Sequence, residues 1–201
     1  MIIAIDGTSG SGKSTVAKLL SEKTGFELLN TGLIYRKITK YCLNRNISYK
    51  EIDKINNILN QICFTNINNE MLHLEEISEY VPLYARYETV REFVRKIQRS
   101  FAEGKNIIVE GRDIGTIVFP NADRKIYIDA SIEERTKRRM YQLKVDGILI
   151  YDEIKKNLEQ RDNHDKDRAI SPLKIASDAI IIDTTSKTLE EVMKEIEENI
   201  A

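Results

Sequence analysis

Residues 7–15 read Gly-Thr-Ser-Gly-Ser-Gly-Lys-Ser-Thr, which fits G-x-x-x-x-G-K-[ST] with Gly7, Gly12, Lys13 and Ser14 at the fixed positions. An apolar, β-branched run at residues 2–5 precedes it, and a helical pattern from Ser14 follows. Strand, glycine-rich turn and helix in that order make a phosphate cradle. The glycines let peptide N–H groups curl inward, and the helix N-terminus adds about half a positive charge there. Lys13 has the length to reach β- and γ-phosphates, and the Ser14 hydroxyl suits Mg²⁺. The bland alternative, a Gly/Ser-rich turn with no ligand, does not account for both flanks.

The rest of the chain repeats that alternation. Short apolar runs at 2–5, 26–29, 107–109, 126–128 and 179–182 read as buried strands. Helical patterns fall at 14–23, 33–43, 89–101, 132–143, 151–161 and 189–200. The expectation is an α/β fold, a doubly wound, mostly parallel five-stranded sheet. One stretch breaks the rhythm. Residues 49–59 read as a helix, and 64–77 as two short strands turning at Asn68–Asn69. This reads equally as a small functional insertion or as an ordinary α+β excursion.

Composition narrows the partners. The chain has 201 residues, with 31 Lys+Arg against 32 Asp+Glu and a net charge of -1. A protein that binds nucleic-acid backbone usually carries a cationic surplus, so nucleic acid is not the expected partner. Two cysteines and two histidines make neither a disulfide framework nor a zinc site. The N-terminus lacks the charged and apolar regions of a signal peptide, and no stretch approaches the ~20 apolar residues of a membrane span. A cytoplasmic protein with no membrane partner is expected, and a monomer by default.

A phosphate cradle alone does not choose a reaction. The guanine-binding N-K-x-D and the switch D-x-x-G of GTPases do not occur in the sequence. The chain is also short for an ATP-driven motor, which favours a small-molecule phosphotransferase. Phosphoryl transfer is mostly positioning plus neutralisation of charge, so it wants guanidiniums. Arg36 and Arg112 follow expected strand ends, where ligands of such sheets bind. Arg112 lies in a Gly-Arg-Asp-Ile-Gly turn. Arg91, Arg95 and Arg99 repeat every four residues near Glu88 and Glu92, which is also how a solvated helix face looks. Arg135, Arg138 and Arg139 share one helix, with glutamates in reach of Arg135 and Arg138. Residues 161–168, RDNHDKDR, are either a mixed-charge surface or a grip in which Arg161 and Asp165, one turn apart, hold a ribose while Arg168 reaches phosphate.

Taken together, IAIDGTSGSGKST, TGLIYR, GRDIGTIVFPNADRKIYIDAS, ERTKRRM and RDNHDKDRAISPL resemble the bacterial-type cytidylate kinases, a family of P-loop nucleoside monophosphate kinases. The match runs in order from residue 2 to 173, and GRDIGTIVFP followed by RDxxDxxR is far more specific than the loop. The resemblance implies transfer of phosphate from ATP, with Mg²⁺, to CMP and dCMP. It implies that Gly7, Thr8, Ser9, Gly10, Ser11, Gly12, Lys13, Ser14 and Thr15 hold the ATP phosphates, with Ser14 serving Mg²⁺. Tyr35 would pack on the pyrimidine. Thr31 and Arg36 would line the monophosphate pocket. Arg112 would hold the acceptor phosphate and Asp113 the cytosine amino group, and Arg91 the O2/N3 edge. Arg161 and Asp165 would take the ribose, and Arg168 would help at phosphate. Arg135 and Arg139 would belong to a lid over ATP. Lys13, Arg112, Arg135 and Arg139 are the catalytic candidates.

The implied organisation is a core (1–32, 86–142 and 164–201), an inserted NMP-binding lobe (33–85) and a short helical lid (143–163). The sequence departs from the family pattern in a shorter insertion. Pro82 stands where a serine is usual and Glu88 where a proline is, and Asn30 supplies the side chain before Thr31 and Gly32. Two other readings are a P-loop kinase for a different small molecule and a non-catalytic nucleotide-binding module. The Arg91/Asp113 pair argues against the first. Lys13, Ser14 and the full arginine set argue against the second.

Overall fold

The computed structural model describes residues 1–64 and 75–200. The chain forms two compact units: residues 1–29 with 104–201, and residues 30–103. Arg91 lies in the second unit.

The first unit is built on a five-stranded parallel sheet of order β2-β3-β1-β4-β5. The strands are β1 (Ile2–Gly7), β2 (Glu27–Asn30), β3 (Ile107–Glu110), β4 (Arg124–Asp129) and β5 (Ile180–Asp183). In register, Ile3 lies beside Ile108, Ile5 beside Ile126, and Ile128 beside Ile182. These side chains share one face. Helices α1 (Lys13–Thr24) and α8 (Leu189–Ile200) close over it with Val16, Ala17, Leu20, Val192, Met193 and Ile196. Positions of opposite parity, Ala4, Ile107 and Val109, are also buried. Burial on both faces explains why these strands read as continuous apolar runs and not as alternating ones.

Helices α6 (Ile132–Leu143) and α7 (Ile148–Asp167) form a packed hairpin in this unit. Ser131 caps α6 by accepting the Glu134 N–H at 3.2 Å. Lys144 ends α6 in the left-handed conformation, φ 55°. Helix α7 begins at Ile148, earlier than the sequence suggested. Ile148 and Leu149 are strongly exposed there, so no buried face marks the first turn. A π-helical turn at Ile114–Val118 also escaped the sequence reading.

The second unit is helical: α2 (Thr31–Leu43), α3 (Ile52–Leu59), α4 (Glu75–Tyr84) and α5 (Glu88–Ala102). Leu33, Ile34, Ile38, Ile55, Val90 and Val94 are buried in it. Tyr84 and Tyr87 donate to the carbonyls of Ile47 (2.6 Å) and Tyr49 (2.8 Å), pinning the loop before α3. The turn expected at Asn68–Asn69 lies outside the described residues. The end of that segment is helical instead of extended, because Ile77 enters the buried face of α4.

Candidate functional site

The ends of β1, β3, β4 and β5 place four groups of polar residues at one edge of the sheet, where doubly wound folds bind ligands. After β1 comes the glycine-rich loop. Gly7 has φ 148°, and a Cβ there would fall 1.9 Å from the Ile128 carbonyl oxygen, so no other residue fits beside β4. Gly12 is left-handed (φ 96°) and forms the N-cap of α1, whose first turn carries Lys13, Ser14 and Thr15. Ser14 and Thr15 are exposed, whereas Thr8, Ser9, Ser11 and Lys13 are buried.

Lys13 lies folded over the loop and donates from Nζ to the Thr8 carbonyl. Burial, and after it the Arg112 charge, pushes the Lys13 ammonium well below its ordinary range, while Glu110, Asp162 and Asp165 oppose the shift. An anionic ligand in the cradle would reverse that balance. The loop is braced from outside. Thr8 Oγ1 donates to Asp129 at 2.6 Å. Arg138 Nη1 donates to the Ser11 carbonyl at 3.3 Å, and Thr184 Oγ1 lies 3.1 Å from the same oxygen. Arg138 also pairs with Glu134 at 2.9 Å, as the spacing allowed. Arg135 instead pairs with Asp162.

After β3 the chain turns through Gly111, Arg112 and Asp113. Arg112 Nε donates to Asp165 Oδ2 at 2.9 Å, and its Nη2 to Ser9 Oγ at 3.2 Å. Arg168 Nη1 donates to the other Asp165 oxygen at 3.2 Å, and Arg168 Nη2 lies 4.0 Å from Asp113. The structure thus gathers the loop, Arg112, Asp113, Asp165 and Arg168 into one network. Asp6, at the end of β1, accepts from the N–H groups of Ile114 (2.8 Å) and Gly115 (2.7 Å) and so fixes the turn that carries Arg112 and Asp113.

Arg161 is exposed on α7, and Asp165 is held by the two arginines. Arg139 is half-buried and contacts Gln142 at 3.4 Å, with burial lowering its pKa. Arg135 is buried within the first unit, where it donates to Ala130 and Ser9 carbonyls at 2.9 and 3.1 Å.

In the second unit, Thr31 opens α2 and is buried, and Tyr35 and Arg36 follow on the same helix. Arg91, on α5, is only 4% exposed and sits 5.8 Å from the Tyr35 ring centroid. Its Nε has no hydrogen-bond partner. Arg95 pairs with Glu88 as a helix face would.

Sequence reasoning missed Asp6, Asp162, Asp129 and Thr184, and it named Arg138 without seeing that it braces the loop at Ser11. For Asp6 a signal existed: an acid inside an apolar strand must find donors.

Among the described residues no group of three or more His, Cys, Asp or Glu could hold a metal ion. An exposed Ser14 with no carboxylate cluster fits a magnesium ion held chiefly by phosphate oxygens and water.

Against known proteins, a family profile described as cytidylate kinase matches residues 3–201. A cytidylate kinase of Thermotoga maritima is 41% identical over 206 residues, covering 96% of this chain and 94% of that one. A cytidylate kinase of Fusobacterium nucleatum is 40% identical over 212 residues, covering 100% and 97%. Among solved structures, a shikimate kinase from Bacteroides thetaiotaomicron has TM-score 0.53 at 14% identity, covering 100% of this chain and 98% of that one. That likeness concerns the fold alone.

Proposed function

The chain belongs to the cytidylate kinase family, and we propose that it transfers the γ-phosphoryl group of ATP to CMP and dCMP. A bond forms between the γ-phosphorus and an acceptor phosphate oxygen. The bond to the β–γ bridging oxygen breaks, and ADP leaves with that electron pair. The acceptor oxygen is already anionic, so no general base is required.

The observation that carries this reading is Arg112. One guanidinium touches Ser9 of the donor loop and Asp165 of the RDxxD segment. A fixed positive charge beside both the donor loop and the RDxxD segment supports this reading, because in-line transfer needs cationic groups at both phosphates. Lys13 and the loop N–H groups receive the donor. In the first unit Arg112 and Arg168 receive the acceptor phosphate, and in the second Thr31 and Arg36 serve the monophosphate. Asp165 orients both arginines and, with Arg161, serves the ribose. Tyr35 packs on the base. Arg91 and Asp113 read it, one donating to O2/N3 and the other accepting from N4. Arg139 joins Arg135 near the donor. Ser14 would hold magnesium together with the triphosphate, and the ion would supply further neutralisation of the transferring group.

The free, buried thiol of Cys42 agrees with a reducing, cytoplasmic setting. No helix among the described residues is long and apolar enough to cross a membrane. We take the enzyme to be a monomer, which sedimentation at assay concentration tests. The function is tested by ADP release across nucleoside monophosphates, with ATP and with either Mg²⁺ or EDTA. Turnover of CMP and dCMP that EDTA abolishes is the expected result. Preference for another monophosphate, or turnover unaffected by EDTA, would overturn it.

A further inference from the structure

Asp162 has no role in the activity described so far, yet it is among the most buried charged residues of the chain, 4% exposed. It lies on α7, between Arg161 and the Asp165 that holds Arg112. Its two oxygens serve different partners. Oδ1 accepts the backbone N–H of Ser9 at 3.0 Å, and Oδ2 accepts Nη1 of Arg135. The same Nη1 lies 3.1 Å from the Ser9 carbonyl, and Arg135 Nε donates to the Ala130 carbonyl at 2.9 Å. A closed ring results: Ser9 N–H to Asp162, Arg135 to Asp162, Arg135 to Ser9 C=O. Both backbone polar groups of one loop residue are gripped by an ion pair drawn from two different helices.

Stability is a poor explanation for this ring. A buried ion pair contributes little net, because desolvation of both charges offsets their attraction. Orientation is a better one. With its N–H committed to a carboxylate, Ser9 is not a phosphate donor, and the loop must meet an anion with later N–H groups and Lys13. The pair is neutral as a whole, so it sets the direction of those groups without adding charge.

We propose that Asp162 is a positioning residue for the donor loop, acting through Ser9 and Arg135 to aim the following N–H groups at the triphosphate. The proposal rests on the reading that residues 7–15 hold ATP.

Asp162→Asn separates aim from charge. The asparagine amide cannot accept from both partners, so the ring opens, and Arg135 is left as an uncompensated cation beside the loop. Were charge the point, ATP would bind more tightly. If aim is the point, ATP binds more weakly. Calorimetric titration of the full chain with ATP alone and with CMP alone measures both. We expect ATP affinity to fall about tenfold or more, with CMP affinity within about twofold of wild type and the KM for ATP rising in parallel. Arg135→Gln should give a similar loss, and the double variant little beyond the worse single, because one ring is broken in each. Asp162→Glu keeps both acceptors and should restore ATP binding in part, which also covers the case in which Asp162→Asn fails to fold. Unchanged or tighter ATP binding, or equal losses for ATP and CMP that follow the loss in Tm, would overturn the proposal. Where the wild type phosphorylates CMP, variants at 162 and 135 that bind ATP as it does refute the positioning role alone. Wild-type protein that binds no ATP refutes the donor-loop reading with it.

Discussion

Arg112 Nε donates to Asp165 Oδ2 at 2.9 Å, joining the turn after β3 to the C-terminal end of α7. Asp165 accepts Arg168 as well. Burial pushes the Asp165 carboxyl up, but Arg112 and Arg168 outweigh it and hold the group below its usual range. The acid therefore stays ionised and keeps two guanidiniums apart and aimed. The Arg112 and Asp165 side chains are 23% and 18% exposed, so removing one partner leaves a mostly buried charge uncompensated, at a cost of about 3 kcal/mol. Asp165→Ala should lower unfolding free energy by that order and kcat/KM for CMP by about a hundredfold or more. Urea unfolding and steady-state kinetics check the two numbers together. A variant with near-normal kcat/KM would show that the arginines need no such partner.

Lys13 is the group most specific to donor chemistry. It is 6% exposed and lies on the Thr8 carbonyl. Losing one positioned donor to developing charge costs about 10²–10³ in kcat. Lys13→Met keeps the length and apolar bulk of the side chain, and it removes an ammonium that burial already disfavours. The expected outcome is a kcat lower by orders of magnitude, with circular dichroism and Tm close to wild type. Turnover within a few-fold of wild type would exclude the role.

The glycine loop was legible because its chemistry is local: strand, three glycines, Lys13 and helix stand in one short run. The strands were legible because burial on both faces leaves unbroken apolar runs such as residues 107–109. What escaped depends on distant partners. The π-turn at Ile114–Val118 exists because Asp6, far away in sequence, accepts its first N–H groups. Asp162 looked like one acid in an alternating-charge helix, and only the packing of α7 on the loop singles it out. Arg135 and Arg139 looked equivalent by spacing. The fold buries the first against Ser9 and leaves the second half-exposed. Helix α4 was hidden because Pro82 lies inside it, a residue that normally ends or breaks a helix.

Base choice should follow from Arg91 and Asp113. The Arg91 Nε is buried without a hydrogen-bond partner, a state that costs about 1–3 kcal/mol until an acceptor arrives. Cytosine offers O2 and N3 as acceptors and N4 as a donor for a carboxylate. Uracil would set O4 against Asp113, acceptor to acceptor. CMP should therefore be used at least tenfold better than UMP, on the order of one unpaired buried group. Arg91→Met should raise KM for CMP strongly and KM for ATP little. Asp113→Asn should narrow the CMP/UMP ratio, because the amide can donate to O4. Competition kinetics with both nucleotides measures the ratio, and equal use by the wild type would refute the assignment.

Asp6 gives the chain a pH signature with a definite sign. Burial raises its carboxyl pKa from 3.8 to about 6, despite the opposing N–H bonds from Gly115 and Ile114, and with Asp113 and Lys13 pulling in opposite directions. The unfolded chain releases this proton near its ordinary value, whereas the native protein keeps it up to about 6. Between those values the native state binds more protons, so this group's contribution falls as pH rises. The loss amounts to about 3 kcal/mol by neutral pH. Ionised Asp6 is retained because its two oxygens pin the turn that carries Arg112 and Asp113. Asp6→Asn can serve only one of those N–H groups, a cost that does not depend on pH. Wild-type stability measured relative to that variant should therefore decline from about pH 4 to about pH 6 and stay level above. Urea unfolding of both proteins across pH 4–8 measures the difference directly; a flat difference would show that Asp6 titrates as an ordinary carboxylate, and one that grows would show that its backbone hydrogen bonds outweigh burial.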